Sequence, residues 1–332
     1  MPSIQSRLIH FSLRNRHLFK FRLHRETWDW NTSIPAFRQE CEQGALKVKL
    51  PTGVQVIRVA IPGLAPGLTA EWIRPAEGAP AETCIFYIHG GGYVSGTCSD
   101  HRGFVAKWVQ ASGRAALHYD YRLAPEHPFP AALEDTLTAY RWLLAQGMPP
   151  ERVVMAGESA GGGLCLATLL ALRDQGLPLP AAAVALSPWT DLQLTGESQH
   201  TRTRVAIDPP GMSRVCCAYY TGAQDPCLPW ISPLYGDLRG LPPLLLYVGD
   251  YELMRDDTTR FAAKAAAAGV DVTLQVGEGM VHCYPLFAPL FPEATQAMQD
   301  IGRFIQAHTG ARQAEAALTD TRIGEKRIDE HC

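Results

Sequence analysis

Residues 152–163 read Arg-Val-Val-Met-Ala-Gly-Glu-Ser-Ala-Gly-Gly-Gly, a short apolar run that passes into a glycine-rich turn and then a helix. The turn matches the pattern G-x-S-x-G, which requires a strand before it and a helix after it. Small residues flank Ser159 because a sharp strand-to-helix turn leaves little room for side chains. No Lys follows the glycines, so a P-loop is excluded. Ser159 is therefore the predicted nucleophile, at a helix N-terminus that favours developing negative charge.

Strand-like and helical stretches alternate along the rest of the chain. The predicted strands are short apolar runs bounded by turn residues: 54–60, 68–73, 83–88, 115–119, 152–156, 181–186, 244–248 and 272–276. The predicted helices lie between the later strands: 101–112, 130–146, 160–174, 256–268 and 293–307. The first two strands alternate in polarity like antiparallel strands, whereas several later ones read as buried parallel strands. The sequence therefore predicts an α/β fold with a doubly wound, mostly parallel sheet.

A second glycine-rich motif, His89-Gly90-Gly91-Gly92, directly follows the predicted strand 83–88. Glycines leave backbone N–H groups unhindered, and an H-G-G-G loop at this place supplies oxyanion donors in hydrolases that carry a nucleophile elbow. A flexible turn is the alternative interpretation of a lone glycine triplet. Together with the elbow, the motif predicts that the N–H groups of Gly91, Gly92 and Ala160 bind the oxyanion, while His89 orients the loop.

The predicted general base is His282. In this type of hydrolase the order along the chain is Ser, acid, His. Three histidines follow the next-to-last strand, but His308 ends the last helix and His331 lies in the tail. His282 follows the strand 272–276 in a glycine-rich loop, which puts it at the same carboxyl edge of the sheet as Ser159.

The acid is less sharply defined by the residues alone. Four carboxylates follow the strand 244–248: Asp250, Glu252, Asp256 and Asp257. The last two suit the first turn of the following helix, where the helix dipole favours acidic side chains. Asp191, after the preceding strand, is a further candidate that better fits a loop-capping role. Asp250 and Glu252 therefore remain the alternatives.

Composition excludes several classes of protein. The 332 residues contain 30 basic and 33 acidic residues, a net charge of -3, which is unlike a basic nucleic-acid binder. Nine cysteines, an odd number without a C-x-x-C motif, argue against a disulfide framework or a zinc knuckle and predict reduced thiols in the cytoplasm. No apolar stretch reaches the roughly 20 residues of an integral membrane segment.

The N-terminal segment differs from this average. Residues 1–25 carry six basic residues and no acidic one, interspersed with apolar residues but without an uninterrupted apolar core or a cleavage site of the A-x-A type. Three interpretations are open: an amphipathic segment that lies on a surface, a transit-like leader, or a poorly ordered extension.

Several long motifs in a fixed order resemble those of the hormone-sensitive-lipase branch of the α/β-hydrolases, the bacterial family IV carboxylesterases. Besides the two motifs above, they are Tyr121-Arg122-Leu123-Ala124-Pro125-Glu126-His127-Pro128-Phe129-Pro130-Ala131-Ala132, Ser187-Pro188-Trp189-Thr190-Asp191-Leu192 and the segment 252–256. The resemblance covers roughly 27–308. The family often has D-P-L-R-D where this chain has Glu252-Leu253-Met254-Arg255-Asp256. Glu252 therefore stands in the place of the family's acid, 30 residues before His282, and is favoured over Asp250.

The resemblance implies a fold and an activity. The fold is an α/β-hydrolase fold with a mostly parallel eight-stranded sheet, helices on both faces and a helical cap from about 27–50 and 191–222. The implied domains are a basic extension at 1–26, the hydrolase domain at 27–308 and a polar tail at 309–332. The implied enzyme is a monomer or homodimer without metal or cofactor that cleaves small carboxylic esters of short to medium acyl chain through Ser159, His282 and Glu252.

Two other functions fit the same residues. An amide or carbamate hydrolase would use the same triad and an acyl-enzyme. A non-catalytic small-molecule receptor on this fold would keep the cavity but lose the base, whereas Ser159 and His282 are both present here.

Overall fold

A computed structural model describes residues 1–19, 26–45, 50–77 and 82–309. Its centre is one eight-stranded sheet with the strands β1 (Val54–Val59), β2 (Ala70–Pro75), β3 (Cys84–Ile88), β4 (Ala115–Tyr119), β5 (Val153–Glu158), β6 (Ala182–Leu186), β7 (Leu244–Gly249) and β8 (Val272–Gly277). The strand order is β1-β2-β4-β3-β5-β6-β7-β8. The two β2 pairings are antiparallel, and the others are parallel. The predicted fold class is therefore confirmed.

Ten α-helices occur in the described residues: α1 (Ile4–Arg14), α2 (Arg16–Phe19), α3 (Ile34–Ala45), α4 (Cys98–Ser112), α5 (Ala131–Ala145), α6 (Ala160–Asp174), α7 (Ser198–Thr201), α8 (Met212–Thr221), α9 (Arg255–Ala267) and α10 (Pro292–Thr309). The five predicted helices are present with boundaries shifted by a few residues. Helix α4 begins earlier than the hydrophobic pattern predicts because a capping box between Thr97, its N-cap, and Asp100 in its first turn fixes its start.

The sheet separates two hydrophobic layers. Residues of α5, α6 and α9 pack on one face, in the cluster that contains Phe86 of β3. Residues of α4 and α10 pack on the other face, against the neighbouring Ile85 and Tyr87. Successive residues of a strand point to opposite faces, so β3 supplies both layers in turn. All residues of β3 to β7 are buried for this reason, whereas the edge strands β1 and β8 alternate between half-buried and exposed residues.

The turn from β5 into α6 lies in close contact with the end of β3. A Cβ atom on Gly161 would lie 2.2 Å from the carbonyl oxygen of Ile88 and 2.3 Å from that of His89. Only glycine tolerates such an approach of two backbones. The elbow at Ser159 and the loop after β3 are thus packed side by side at the carboxyl edge of the sheet, where ligands bind in open α/β folds.

The segments predicted as a cap contain helices. Helix α3 lies within 27–50, and helices α7 and α8 lie within 191–222. Helices α1 and α2 lie within the predicted extension 1–26. The division into extension, hydrolase domain, cap and tail stays a prediction. Residues 20–25, 46–49 and 310–332 of these segments lie outside the described residues. Among the helices described, none has both the length and the hydropathy needed to cross a bilayer.

Candidate active site

Ser159 is held in a conformation that few residues adopt. Its backbone has φ 56° and ψ -122°, at the N-cap of α6. Three hydrogen bonds fix it: its N–H donates to Leu186 O (2.8 Å), and its carbonyl accepts from the N–H groups of Gly163 (3.0 Å) and Trp189 (3.1 Å). Such strain persists only where the surrounding structure enforces it, and it is common at functional sites. The contacts with β6 and with the following loop therefore set the position of the serine.

The loop after β3 is shaped by its own hydrogen bonds. Gly91 has φ 107°, and a Cβ atom there would lie 2.3 Å from the carbonyl oxygen of Ser95. The carbonyl of Gly91 in turn accepts from the N–H of Ser95 (3.0 Å) and from its hydroxyl (2.9 Å). The next residue, Gly92, also has a positive φ of 66°. The loop therefore requires glycine at both positions of the predicted oxyanion donors.

His89 supports this loop from behind. Its ring stacks on Tyr121 at a centroid distance of 4.1 Å, and the Tyr121 hydroxyl donates to the His89 carbonyl (2.8 Å). One ring nitrogen, Nδ1, lies 2.9 Å from Gly90 O. Burial, together with the positive charge of His101, lowers the pKa of His89 to about 4, so its ring is neutral at neutral pH. These contacts fit the orienting role that the sequence predicts for His89.

His282 contacts the buried carboxylate of Glu252. The Nδ1 atom of His282 lies 2.5 Å from Glu252 Oε2. The other carboxylate oxygen, Oε1, accepts from the hydroxyl of Ser187 (2.8 Å) and from the N–H of Gly249 (2.5 Å). Ser187 Oγ also accepts from the N–H of Cys283 (3.0 Å), next to the histidine. Both oxygens of the Glu252 carboxylate therefore have hydrogen-bond partners, and these hold the carboxylate in one orientation toward the imidazole of His282.

The other candidate acids have different partners. Asp250 Oδ1 forms ion pairs with Arg202 (3.1 Å) and Arg255 (3.2 Å). Asp256 and Asp257 lie in the first turn of α9, as predicted, and accept backbone N–H groups of the loops at 198 and 190–191. Asp191 accepts from the N–H groups of Gln193 (3.1 Å) and Thr195 (3.1 Å), which is the loop-capping role expected of it. Of these carboxylates, the structure brings Glu252 to His282.

The environment of His282 favours its charged form. Burial alone would lower the pKa of His282, but attraction to Cys283, where its thiol is ionised, and to the carboxylate of Glu252 outweighs burial and raises the pKa well above its ordinary value. Burial also raises the pKa of the Cys283 thiol, so that thiol is neutral near neutral pH. The carboxylate of Glu252 is therefore the partner that stabilises the imidazolium under these conditions.

Ser159 and His282 open onto one cavity of about 290 Å³. The glycine loop forms one wall. The other walls are mainly apolar, with lining residues that include Phe104, Trp189, Ile207, Met212, Cys216, Met254, Leu286 and Phe287, and polar side chains are contributed by His101, Glu158, Asp208 and Ser213. Three of the lining residues, Met212, Ser213 and Cys216, come from α8, within the second predicted cap segment. Ala160 is fully buried directly behind Ser159 as the first residue of α6. The predicted site residues therefore lie together at one edge of the sheet.

Glu158 is a buried acidic residue that the sequence analysis passed over. It occupies the variable position of the G-x-S-x-G motif, and its Oε1 accepts from the N–H of Gly90 (2.7 Å). The hydroxyl of Tyr87 donates to its other oxygen, and His101 Nε2 lies 3.2 Å from Oε1. One carboxylate therefore joins the elbow to the glycine loop. A charged residue inside an apolar strand was the signal for it, since buried charges are paired.

The imidazole of His101 lies between two carboxylates. Its Nδ1 lies 2.6 Å from Asp100 Oδ1, and its Nε2 faces Glu158. Burial opposes the charged ring, but hydrogen bonds and attraction to both carboxylates raise the pKa of His101 to about 10. His101 in turn helps to lower the pKa of Asp100 to about 2 against the effect of burial. The site thus rests on a buried row of alternating charges.

One group of potential metal ligands lies in the described residues, away from the cavity lining. Donor atoms of Glu71, Cys98 and His118 lie within 4.8 Å of one another. Arg102 donates to both oxygens of Glu71, at 2.9 Å to Oε1 and 2.7 Å to Oε2. The carboxylate is therefore already paired with a cation, which disfavours a second positive charge beside it.

Comparisons with known proteins agree with this architecture. A family model described as "alpha/beta hydrolase fold" matches residues 85–286. An acetyl-hydrolase of Streptomyces hygroscopicus is 45% identical over 244 residues, which are 73% of this chain and 81% of that protein. An esterase of Acinetobacter venetianus is 37% identical over 228 residues, 68% of this chain and 75% of that protein.

The chain belongs to the α/β-hydrolase family. Similar solved structures indicate which branch of this family the chain resembles. An esterase from the bacterial hormone-sensitive-lipase family matches with a TM-score of 0.83 and 40% identity, over 93% of this chain and 100% of that one. The esterase EstE5, soaked with p-nitrophenyl butyrate, matches with the same TM-score, identity and coverage. The predicted family is thus confirmed, and this hydrolase is an enzyme of the esterase type.

The paired charges of His101 predict a pH-dependent stability of this hydrolase. Because its folded-state pKa of about 10 lies above the ordinary 6.5, the imidazolium stabilises the fold fully below about pH 6.5, and this contribution is lost as the pH rises towards 10. We expect His101→Gln to lower the free energy of unfolding by roughly 2–4 kcal/mol in the acidic part of this window and by much less at its alkaline end. Urea unfolding across the window measures this difference.

The control for this prediction is His127→Gln, which alters an exposed histidine. It should leave the free energy of unfolding nearly unchanged at every pH. A loss in His101→Gln that is the same at all pH values would show that the ring matters for its packing and not for its charge.

Proposed function

We propose that this hydrolase cleaves carboxylic esters of short to medium acyl chain, with Ser159 as nucleophile, His282 as general base and Glu252 as the acid of the triad. The observation that carries the proposal is the contact of 2.5 Å between His282 Nδ1 and the buried Glu252, beside a cavity that Ser159 shares. A carboxylate on one ring nitrogen fixes the tautomer, so that the other nitrogen can accept the proton of a serine hydroxyl.

The proposed reaction proceeds through an acyl-enzyme. Ser159 Oγ attacks the ester carbonyl carbon while His282 accepts the hydroxyl proton, and Glu252 stabilises the resulting imidazolium. The N–H groups of Gly91, Gly92 and Ala160 donate to the oxyanion, and the loss of one such donor typically costs about 10²–10³ in rate. His282 then protonates the leaving alcohol. A water molecule, deprotonated by His282, hydrolyses the acyl-enzyme and releases the carboxylic acid.

The size and the lining of the cavity support a limit on acyl length. Its volume of about 290 Å³ is at the lower end of the roughly 300–1,000 Å³ of small-molecule pockets. Its side-chain walls are mainly apolar, with Ile207, Met212 and Leu286 among them, which suits an acyl chain better than a charged group. The solved relative soaked with p-nitrophenyl butyrate makes that ester the first substrate to test.

The free thiols support a reducing compartment as part of the proposal. The eight cysteines in the described part of the chain are all free, and six of them are buried. Reduced thiols are typical of cytoplasmic proteins. We therefore propose a cytoplasmic enzyme. The resemblance to the bacterial family IV carboxylesterases implies that it acts as a monomer or homodimer.

Ser159→Ala is expected to abolish hydrolysis of p-nitrophenyl butyrate, with a fall in kcat of roughly 10⁴-fold or more, because no other group would form the acyl-enzyme. Release of p-nitrophenol measures the rate. Ser213→Ala is the matched control, since Ser213 lines the same cavity but is not at the elbow, and its rate should stay within about tenfold of the parent.

Two results would favour the other functions. Cleavage of the corresponding p-nitroanilide as fast as the ester would indicate an amide hydrolase. Binding of the ester by the parent protein without any release of p-nitrophenol would indicate a receptor.

A series of p-nitrophenyl esters from acetate to laurate tests the acyl length. We expect kcat/KM to be highest for the shorter esters and to fall for the laurate by roughly 10-fold or more, because its chain extends beyond the enclosed apolar wall. A maximum at laurate would contradict the proposed chain length but leave the triad unaffected.

Glu252→Gln is expected to lower kcat/KM by up to about 10⁴-fold, because the amide cannot hold the ring tautomer and stabilise the imidazolium. It should also move the acidic limb of the pH profile of kcat/KM to lower pH, since the carboxylate that raises the pKa of His282 is gone. Asp250→Asn removes a carboxylate two residues away that is paired with arginines, and it should leave both quantities nearly unchanged. The opposite ranking of the two variants would transfer the acid role to Asp250.

A further inference from the structure

Helix α1 carries apolar side chains on two opposite faces. On the inner face, Ile9 and Leu13 pack against the hydrophobic layer formed by α4 and α10. On the outer face, Ile4, Leu8 and Phe11 follow one another at intervals of four and three residues and thus form a single stripe. An amphipathic surface helix normally has a polar outer face. The outer apolar side chains of α1 therefore require a separate explanation.

This outer face is broad and carries basic charge. Ile4, Leu8 and Phe11 of α1, with Leu18 and Phe19 of α2, are each between 54% and 72% exposed. We call the three residues of α1 (Ile4, Leu8 and Phe11) the outer stripe; the two residues of α2 are further exposed apolar side chains next to it in the sequence. Arg7 and Arg14 flank it on α1, three residues after Ile4 and Phe11 respectively. Residues 1–25 contain no acidic side chain, so no negative charge of this segment offsets the arginines.

The outer stripe is exposed although helix α1 is attached to the rest of the protein. The hydroxyl and the N–H of Ser3, which caps α1, donate to the carboxylate of Glu293 on α10 (2.8 and 2.6 Å). His10 Nε2 lies 2.7 Å from Val205 O, and Arg16 at the start of the following helix α2 donates to Ile207 O (2.7 Å). The helix is thus fixed to the enzyme at several points, with its inner face packed and its outer face turned to solvent.

We propose that the outer stripe docks on an anionic lipid surface. A fixed helix with exposed Leu and Phe beside arginines has the composition of helices that lie in the headgroup region, where apolar side chains insert and basic ones face the lipid charges. The rest of the chain, residues 26–332, carries 24 basic and 33 acidic residues, a net charge of -9. An anionic surface therefore attracts the N-terminal face and repels the body, which sets the orientation.

The charges beside the outer stripe also disfavour its burial against a second copy of this chain. A two-fold contact through the outer stripe would bring the same patch of both subunits together. Arg7 and Arg14 of both subunits would then lie in one interface, and like charges brought together across an interface are unfavourable. A surface of anionic headgroups matches both the apolar and the basic part of the patch.

Docking through α1 would hold one wall of the cavity beside the lipid. His10 of α1 contacts Val205, and Arg16 of α2 contacts Ile207, which also lines the cavity of Ser159. The docking itself does not depend on hydrolysis and is measured without a substrate. A protein that does not bind lipid could still be the proposed esterase, and a protein that does not hydrolyse esters could still bind lipid.

The experiment is flotation of the full chain with vesicles of phosphatidylcholine mixed with phosphatidylglycerol, compared with vesicles of phosphatidylcholine alone. We expect binding to the anionic vesicles that weakens as salt is added, because screening reduces the attraction of exposed charges. Leu8→Ser with Phe11→Ser should lower the partition coefficient by roughly tenfold or more. Arg7→Gln with Arg14→Gln should lower it by about fivefold for each arginine.

Matched controls come from exposed residues elsewhere. Leu290→Ser removes an apolar side chain that is 57% exposed on a loop, and Arg58→Gln removes an exposed arginine of β1. Neither control should change the partition coefficient by more than about twofold. All variants should hydrolyse soluble p-nitrophenyl butyrate at the parental rate, which also shows that they are folded.

Three outcomes would overturn the proposal. The parent protein binds neither kind of vesicle, it binds both kinds equally well, or the Leu8 and Phe11 double variant binds like the parent. Size-exclusion chromatography adds a fourth: a parental dimer that the double variant converts to monomers would assign the outer stripe to a second copy of this chain.

Discussion

The active site depends on one buried contact, the hydrogen bond from the N–H of Gly90 to the carboxylate of Glu158. Gly90 begins the glycine loop, and Glu158 immediately precedes Ser159, so this bond connects the two loops that face the substrate. A buried carboxylate is stable only when its oxygens are satisfied. Tyr87 and His101 fulfil that requirement here. The relative position of the proposed oxyanion donors and the proposed nucleophile therefore depends on a buried carboxylate whose hydrogen bonds cannot be lost without a large cost in stability.

Close backbone approach imposes the second constraint on the same place. Gly161 touches the end of β3, and a side chain on Gly163 would lie 2.2 Å from the carbonyl oxygen of Trp189. The first turn of α6 is thus enclosed by the loop after β3 on one side and by the loop after β6 on the other. Ser159 has no freedom to relax its positive φ, because both of its backbone polar groups are bonded to these neighbours. Packing and hydrogen bonding together preserve the strained elbow.

The sequence could predict what depends on local pattern and could not predict what depends on distant partners. Strands such as β5 and helices such as α6 follow from apolar runs, turn residues and the motif between them. The resemblance to a family favours Glu252 over Asp250. The structure adds a physical reason, because the carboxylate of Asp250 forms ion pairs with Arg202 and Arg255. The pairing of Glu158 with His101 joins residues 57 positions apart, and no local spacing indicates it.

The packing of the N-terminal helix α1 also depends on a distant partner. Its apolar residues fall on both faces, so the sequence does not show which face packs on the enzyme, and three interpretations are open. The contact of Ser3 with Glu293 crosses 290 positions and fixes which face is inner. The structure thereby assigns Ile9 and Leu13 to the inner face and the outer stripe to the exposed face.

The charge state of His282 links stability of the site to its chemistry. A carboxylate fixed by Ser187 and the Gly249 N–H attracts the imidazolium strongly, because burial reduces screening by water. In the proposed mechanism the same attraction acts on the free enzyme, where it favours the protonated form of His282, and on the transition state, where the imidazolium would form. Catalysis gains only from what is stronger in the transition state. The developing oxyanion is present only there, so the donors at Gly91, Gly92 and Ala160 would supply the part of the stabilisation that the resting imidazolium does not share.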